Sequence, residues 1–172
     1  YECAGDVEEE DATMDVDTTA AGANLVLADG SKNKVYGSYV AEIYESCELN
    51  EEGTEVVDSK KLHKYDGAVF SRRSMNISGS GKLEIVAENE GLGSEMHMTI
   101  NGGDIKIKSG NDGINTSEDN ISVFTMNDGN VSIQVTGETG EGDGIDSNGW
   151  LIVNGGSVNT ASCATSKDAG ID

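Results

Sequence analysis

Acid-glycine phrases recur along this chain: "DGAVFS" from residue 66, "EGLGSE" from 90, "DGINTS" from 112, "DGIDSN" from 143, and "AGID" from 169, where Ala replaces the acid. Aligned on one another, they put Asp66, Glu90, Asp112 and Asp143 in a single column. If the segments stack as parallel strands, neighbouring carboxylates lie about 4.8 Å apart. At that distance two like charges repel by roughly 0.8 kcal/mol in water and about 3 kcal/mol at an effective dielectric of 20. A wall of them needs compensation. One source is a divalent cation: Ca2+ takes six to eight oxygens from carboxylates, amide carbonyls and backbone. Asp112, Asp143 and Asp146 are the best-placed ligands, with Glu90, Asn115, Asn111 or a corner carbonyl completing the set. The other source is backbone N–H, since Asp beside Gly commonly accepts corner donors in Asx turns. Both readings stay open from the sequence.

Other chemistry is sparse. His63 and His97 stand apart from any carboxylate or thiol arrangement that would make a nucleophilic or zinc site. Cys3, Cys47 and Cys163 lack the short paired spacings of a zinc ligand set. In an oxidising compartment Cys3 and Cys47 are able to close a loop, leaving Cys163 unpaired; buried free thiols are the alternative. Trp150 follows an Asn-Gly corner and is expected to face solvent, where an indole stacks on a sugar ring or covers the corner. Asn76, Asn115, Asn120 and Asn130 each begin an Asn-X-Ser match, a frequent coincidence in a chain rich in Asn and Ser.

The elements that must position these residues are read from a second recurring phrase. "GSGKLEI" from 79, "NGGDIKI" from 101, "NDGNVSI" from 127 and "NGGSVNT" from 154 align Gly81, Gly103, Gly129 and Gly156. Periods of roughly 22 to 31 residues indicate a solenoid. After each phrase apolar residues alternate with polar ones, as in Leu83 and Ile85, Ile105 and Ile107, Val131 and Ile133, and Val158, which is the period of a half-buried strand. Met75 and Ile77, Met98 and Ile100, Phe124 and Met126, Leu151 and Val153 form a second column. Ala68, Leu92, Ile114, Ile145 and Ile171 form a third. Three inward columns separated by Gly-rich corners describe an all-β fold, a single right-handed parallel β-helix with three short strands per rung. Gly is expected at the corners because it adopts positive φ freely.

Residues 1–65 are less regular: "MDVDT" from 14 and "ANLVLADG" from 23 alternate like rungs, while 45–64 reads as a polar excursion. Residues 66–172 carry the regular rungs of the same continuous domain. Across 172 residues, 35% apolar and 5% aromatic composition argues against a large central core. Twenty-three Gly and no Pro favour many short strands. A formal charge of -21, from 32 acidic against 11 basic side chains, argues against nucleic acid or anionic membrane as partner, since both need clustered Lys and Arg. No apolar run is long enough to span a membrane. Tyr1 opens without a leader pattern and the chain stops inside "DAGID", so both ends read as cut or as left open for a neighbour.

The phrases "DGAVFSRRSMNISGSGKLEI", "EGLGSEMHMTINGGDIKI", "NDGINTSEDN" and "GDGIDSNGWLIVNGGSV", with "LVLADGSKN" before them, resemble a carbohydrate-binding domain family of surface-associated, right-handed parallel β-helices similar in fold to pectate lyases. The likeness spans residues 23–172. It implies an extracellular or cell-surface, calcium-bearing protein that binds acidic plant-type polysaccharide or cellulose without lyase activity. Asp112 and Asp143 match the family's corner acids, with Asp146 beside the second; Trp150, Asp146 and Asn115 are the candidate sugar contacts. The chain departs from the family in lacking upstream rungs and in ending at "DAGID". A second reading is a filament subunit, because open β-helix ends present unpaired backbone groups and a non-closing head-to-tail contact polymerises. Catalysis ranks third. "INTSEDN" from 114 has Ser117 where a polygalacturonase needs Asp, and Lys106 and Lys108 are the only bases a lyase reading offers. Glu84 and Lys106, and Lys82 and Asp104, are expected cross-strand pairs of about 0.2 to 1 kcal/mol.

Overall fold

The computed structural model describes residues 2–3, 22–37, 43–61, 67–137, 142–162 and 169–172. The proposed strand around Met14 and Val16, His63, Asp66 and Cys163 lie outside them. The described residues are all-β, with strands β1 (Glu2–Cys3), β2 (Ala23–Leu27), β3 (Lys32–Gly37), β4 (Ile43–Leu49), β5 (Val56–Lys61), β6 (Gly67–Ser71), β7 (Met75–Gly79), β8 (Lys82–Ala87), β9 (Glu90–Ser94), β10 (Met98–Ser109), β11 (Ile114–Thr116), β12 (Val123–Val135), β13 (Ile145–Ser147), β14 (Trp150–Val153) and β15 (Ser157–Ser162). They divide into two compact units.

The smaller unit comprises Tyr1–Ala20 and Val40–Lys64. It contains most of the segment read as a polar excursion, and that segment has order of its own: β4 and β5 form an antiparallel hairpin, with β1 parallel to β4 on its other side. Asn50 organises the turn, its Oδ1 accepting the Thr54 N–H at 2.8 Å and the Glu55 N–H at 3.3 Å. Cys47 is disulfide-bonded; the side chain of its expected partner, Cys3, is outside the described residues.

The larger unit, Ala21–Tyr39 and Tyr65–Asp172, holds the repeat. An eight-stranded sheet contains β2, β3, β7, β8, β10, β12, β14 and β15, and a four-stranded sheet runs β13-β11-β9-β6; every pairing in both is parallel. The chain visits the smaller sheet, crosses to the larger, and returns one step further on. Equivalent residues are 22, 23, 26, 27 or 31 positions apart. The exceptions are the steps from β2 to β7, where Asn24 and Asn76 are 52 apart, and from β3 to β8, where Lys32 pairs with Lys82, because the smaller unit is inserted there in the sequence.

Alternation makes the core. Met98 stands between Met75 and Phe124, Ile100 between Ile77 and Met126, Ile105 between Leu83 and Val131, and Ile107 between Ile85 and Ile133. All of these are buried, in one continuous apolar cluster whose only buried aromatic among the described residues is Phe124. Composition suggested no large core; a narrow column of stacked aliphatic rows needs few aromatics, because each row buries itself on the rows above and below. The third column holds for Leu92, Ile114, Ile145 and Ile171. At its first step, however, Val69 rather than Ala68 stands beside Leu92, and Gly67 rather than Asp66 beside Glu90. A one-residue slip exchanges the two faces of a strand, and this register gives the place beside Leu92 to the larger Val69.

The glycines divide into two kinds. Gly103, Gly129 and Gly156 adopt φ of 100°, 100° and 84° at the bend between the column strands, as expected; in the first rung that role falls to Gly79, φ 98°, rather than Gly81. The acid-Gly corners work otherwise. Gly91, Gly113 and Gly144 are absent from the positive-φ residues, and what they lack is room. A Cβ on Gly113 would lie 2.6 Å from the Gly144 carbonyl oxygen and 2.2 Å from Ile133 Cγ2; Gly91 is held the same way against Gly113 and Ile107. Gly113 to alanine is therefore expected to destabilise the larger unit by about 1–3 kcal/mol or more. Ser132 to alanine, at an exposed outward position, is expected to leave stability within about 0.5 kcal/mol. Chemical denaturation midpoints check both.

Candidate functional site

The corners of the four-stranded sheet bring the predicted acids together. Glu90 opens β9 and is 5% exposed; Asp112, just before β11, is 7% exposed. Backbone N–H groups run between successive corners, Gly91 donating to the Asp112 carbonyl at 3.0 Å and Gly113 to the Asp143 carbonyl at 2.9 Å. The carboxylates join that ladder. Asp143 N–H donates to Asp112 Oδ1 at 2.7 Å, and Ala169 N–H donates to Asp143 Oδ1. Each donor belongs to the next rung, so these are inter-rung bonds rather than Asx turns within one corner. Asn115 adds its amide, Nδ2 donating to Glu90 Oε1 at 2.9 Å, with Asp112 Oδ2 at 3.5 Å. Hydrogen bonds to charged groups are worth about 1.5–3 kcal/mol, enough to offset the repulsion expected of the column.

Two groups stay open. Asn115 Oδ1 is buried and accepts nothing, because the amide turns its NH2 toward the carboxylates. Asp146 is the in-register neighbour of Asn115 across β11 and β13. Burial raises the Asp146 carboxyl above its ordinary value, and the negative charges of Asp143 and Asp172 raise it further. Asp172 was absent from the predicted set; its place beside Ile145 comes from the last bridge of the ladder.

The residues expected to ligate calcium differ in their hydrogen bonding. Glu90, Asp112 and Asp143 already accept hydrogen bonds, while Asn115 Oδ1 and Asp146 are free of them. Among the described residues no three His, Cys, Asp or Glu side chains gather as a metal site.

Trp150 starts β14 and is 67% exposed. The corner between Asp146 and Trp150 is clamped: Ser147 Oγ donates to the Trp150 carbonyl at 3.0 Å, Trp150 N–H donates to the Ser122 carbonyl at 2.9 Å, and Asn148 Nδ2 donates to the Ser117 carbonyl at 3.0 Å. The indole is therefore presented from a fixed backbone, with Ile152 and Val153 also exposed along the strand. Beyond it runs an exposed amide row that the residue types alone did not suggest. Asn127 donates to Asn101 and Asn154 donates to Asn127, both at 2.8 Å. Its signal was present in the aligned Asn of "NGGDIKI", "NDGNVSI" and "NGGSVNT".

Exposed Trp150 and the exposed row of Asn101, Asn127 and Asn154 lie on the outward side of the larger sheet. Residues 7–172 match the family model described as carbohydrate-binding domain-containing protein. The chain belongs to that family. No curated protein and no solved structure matches it. Within this carbohydrate-binding domain the histidine reading is structural: His97 is half-buried, its carbonyl accepts the Met75 N–H at 2.8 Å, and its Nδ1 has no partner.

Because the folded state favours protonated Asp146, stabilisation by that proton is complete below the ordinary Asp value of 3.8 and is lost as pH rises through the raised folded value. Asp146→Asn is expected to raise the denaturation midpoint near neutral pH, and the gain is expected to vanish by about pH 3. An unchanged midpoint at both ends of that range would mean the Asp143 and Asp172 charges do not reach Asp146.

Proposed function

We propose that this carbohydrate-binding domain holds cell-wall-type polysaccharide, an acidic polyuronate or cellulose, without catalysing its cleavage. The observation that carries the reading is exposed Trp150 at the end of a clamped corner that begins at Asp146. Trp150 stacks on a sugar ring and Asp146 takes a hydroxyl, while Asn115, whose amide is committed to Glu90 and Asp112, positions the corner. With a uronate ligand Asp146 would hold Ca2+, whose charge would offset that of the sugar carboxylate, and an acidic protein would thereby hold an acidic polymer. Calcium here supplies charge neutralisation and no bond-breaking chemistry.

The parallel ladders, returning to two sheets in alternation, favour a right-handed β-helix, the hand that parallel crossover connections take. Disulfide-bonded Cys47 supports an oxidising compartment, hence the cell surface or the extracellular space.

Sedimentation with insoluble cellulose or polygalacturonate coupled covalently to beads tests this. Trp150→Ala is expected to weaken retention about 2- to 12-fold, the equivalent of 0.5–1.5 kcal/mol for one aromatic contact. Chelator is expected to remove the Trp150-dependent part of retention on the uronate polymer and to leave retention on cellulose unchanged. Retention unaffected by Trp150→Ala would remove the corner from the mechanism, and pelleting with no polysaccharide present would make end-to-end assembly of the domain its function instead.

A further inference from the structure

The outward face of β3, β8, β10, β12 and β15 carries a charge opposite to that of the chain. Register places its side chains in three rows: Lys32, Lys82, Asp104, Asn130 and Ser157; then Lys34, Glu84, Lys106, Ser132 and Asn159; then Tyr36, Val86, Lys108, Gln134 and Ala161. Five of the 11 basic side chains of the molecule project here, against two of its 32 acids.

Those two acids are already neutralised. Lys34 Nζ lies 2.7 Å from Glu84 Oε1, and Lys82 Nζ lies 2.6 Å from Asp104 Oδ2. The second pair was expected; the first replaces the expected bond of Glu84 to Lys106, its neighbour on the opposite side. Lys82 holds the Asp104 carboxyl below its ordinary value, with Lys106 adding to the effect. Lys32, Lys106 and Lys108 consequently have no ion-pair partner among the described residues. Lys106 and Lys108 are two residues apart on one strand, so they stand about 7 Å from each other.

The rest of the face is suited to sugars. Tyr36 is 64% exposed, with the Lys34 ammonium 5.0 Å from its ring centroid. Past the lysines, Asn130, Ser132, Gln134 and Asn159 present neutral hydrogen-bonding groups from β12 and β15.

We infer that this face is a second polysaccharide-binding surface, specific for carboxylate-bearing polymers, in which Lys106 and Lys108 contact uronate carboxylates directly and Tyr36 supports a sugar ring. The assignment shares only its ligand class with the Trp150 corner and needs no calcium. A sparsely charged polymer fits it better than a nucleic-acid duplex, which carries a charge every ~1.7 Å and extends over the acidic remainder of the molecule. The positive field reaches only about a Debye length, ~8 Å at physiological salt, so recognition is local and salt-sensitive.

The test is binding of the full chain to soluble polygalacturonate in chelator, with neutral hydroxyethyl cellulose and duplex DNA in parallel. Expected are measurable binding to polygalacturonate alone, loss by about tenfold or more between about 50 and about 200 mM salt, and a similar loss in Lys106→Glu/Lys108→Glu. Lys106→Arg/Lys108→Arg is expected to retain binding, and the denaturation midpoint checks that both variants fold. No binding in chelator, or binding indifferent to the charge reversal, overturns the lysine face while leaving calcium-dependent retention at the Trp150 corner untouched. DNA binding tighter than polygalacturonate overturns the assigned ligand. Loss of the corner's retention in Trp150→Ala, with chelator-resistant binding intact, separates the two surfaces.

Discussion

The larger unit depends on backbone lying directly on backbone at its corners. Gly91, Gly113 and Gly144 sit where a Cβ would enter the carbonyl of the next rung, so each corner is held at hydrogen-bond distance from the one beyond it. That closeness keeps the short strands β9, β11 and β13 in register, and register stacks the isoleucines and methionines in continuous rows. A side chain at one corner would displace the ladder locally and every row that passes through it. Aliphatic rows in turn suffice for a core with a single buried aromatic, because each residue is covered from two neighbouring rungs.

The same stacking explains the electrostatics. Placing equivalent residues about 4.8 Å apart converts any repeated charge into a row of like charges. At the corners the row is acidic, and it is made tolerable by interleaving: Asp112 accepts from the Asp143 backbone, Asp143 from that of Ala169, and Asn115 places an amide against Glu90 and Asp112. Where donors run out, at Asp146, the carboxyl is raised instead. On the outward face of the larger sheet the repeated charge is positive, and two salt bridges lower its density without cancelling it. A molecule of charge -21 therefore keeps a basic face, because charge is sorted by strand position and not averaged over the chain.

Much of the fold was legible from spacing. The period-two alternation identifies β7, β8, β10 and β12 together with their inward residues, since only one face of each strand reaches the core. The pairing of Lys82 with Asp104 followed from the same alignment. What failed did so for local reasons. Aligning on the acid-Gly motif set Ala68 against Leu92, but the pairing of β6 with β9 puts Val69 there, and both side chains pack against the core. Corner glycines suggested positive φ, while the requirement is clearance, a property of the rung next door.

From the residues alone, repetition, strand character, inward columns and the list of corner acids could be written down, because all four are periodic along one dimension. The partners of those acids could not. Whether Asp112 meets a cation, its own turn or the Asp143 backbone depends on which rung stacks where, and residues up to 31 positions apart settle it. The open oxygen of Asn115 is equally invisible in one dimension: it exists because Glu90 and Asp112 both lie on the NH2 side of the amide. So too for Glu84, which has Lys34 on one flank and Lys106 on the other and bonds to Lys34, a choice that three stacked strands pose and their side-chain geometry answers.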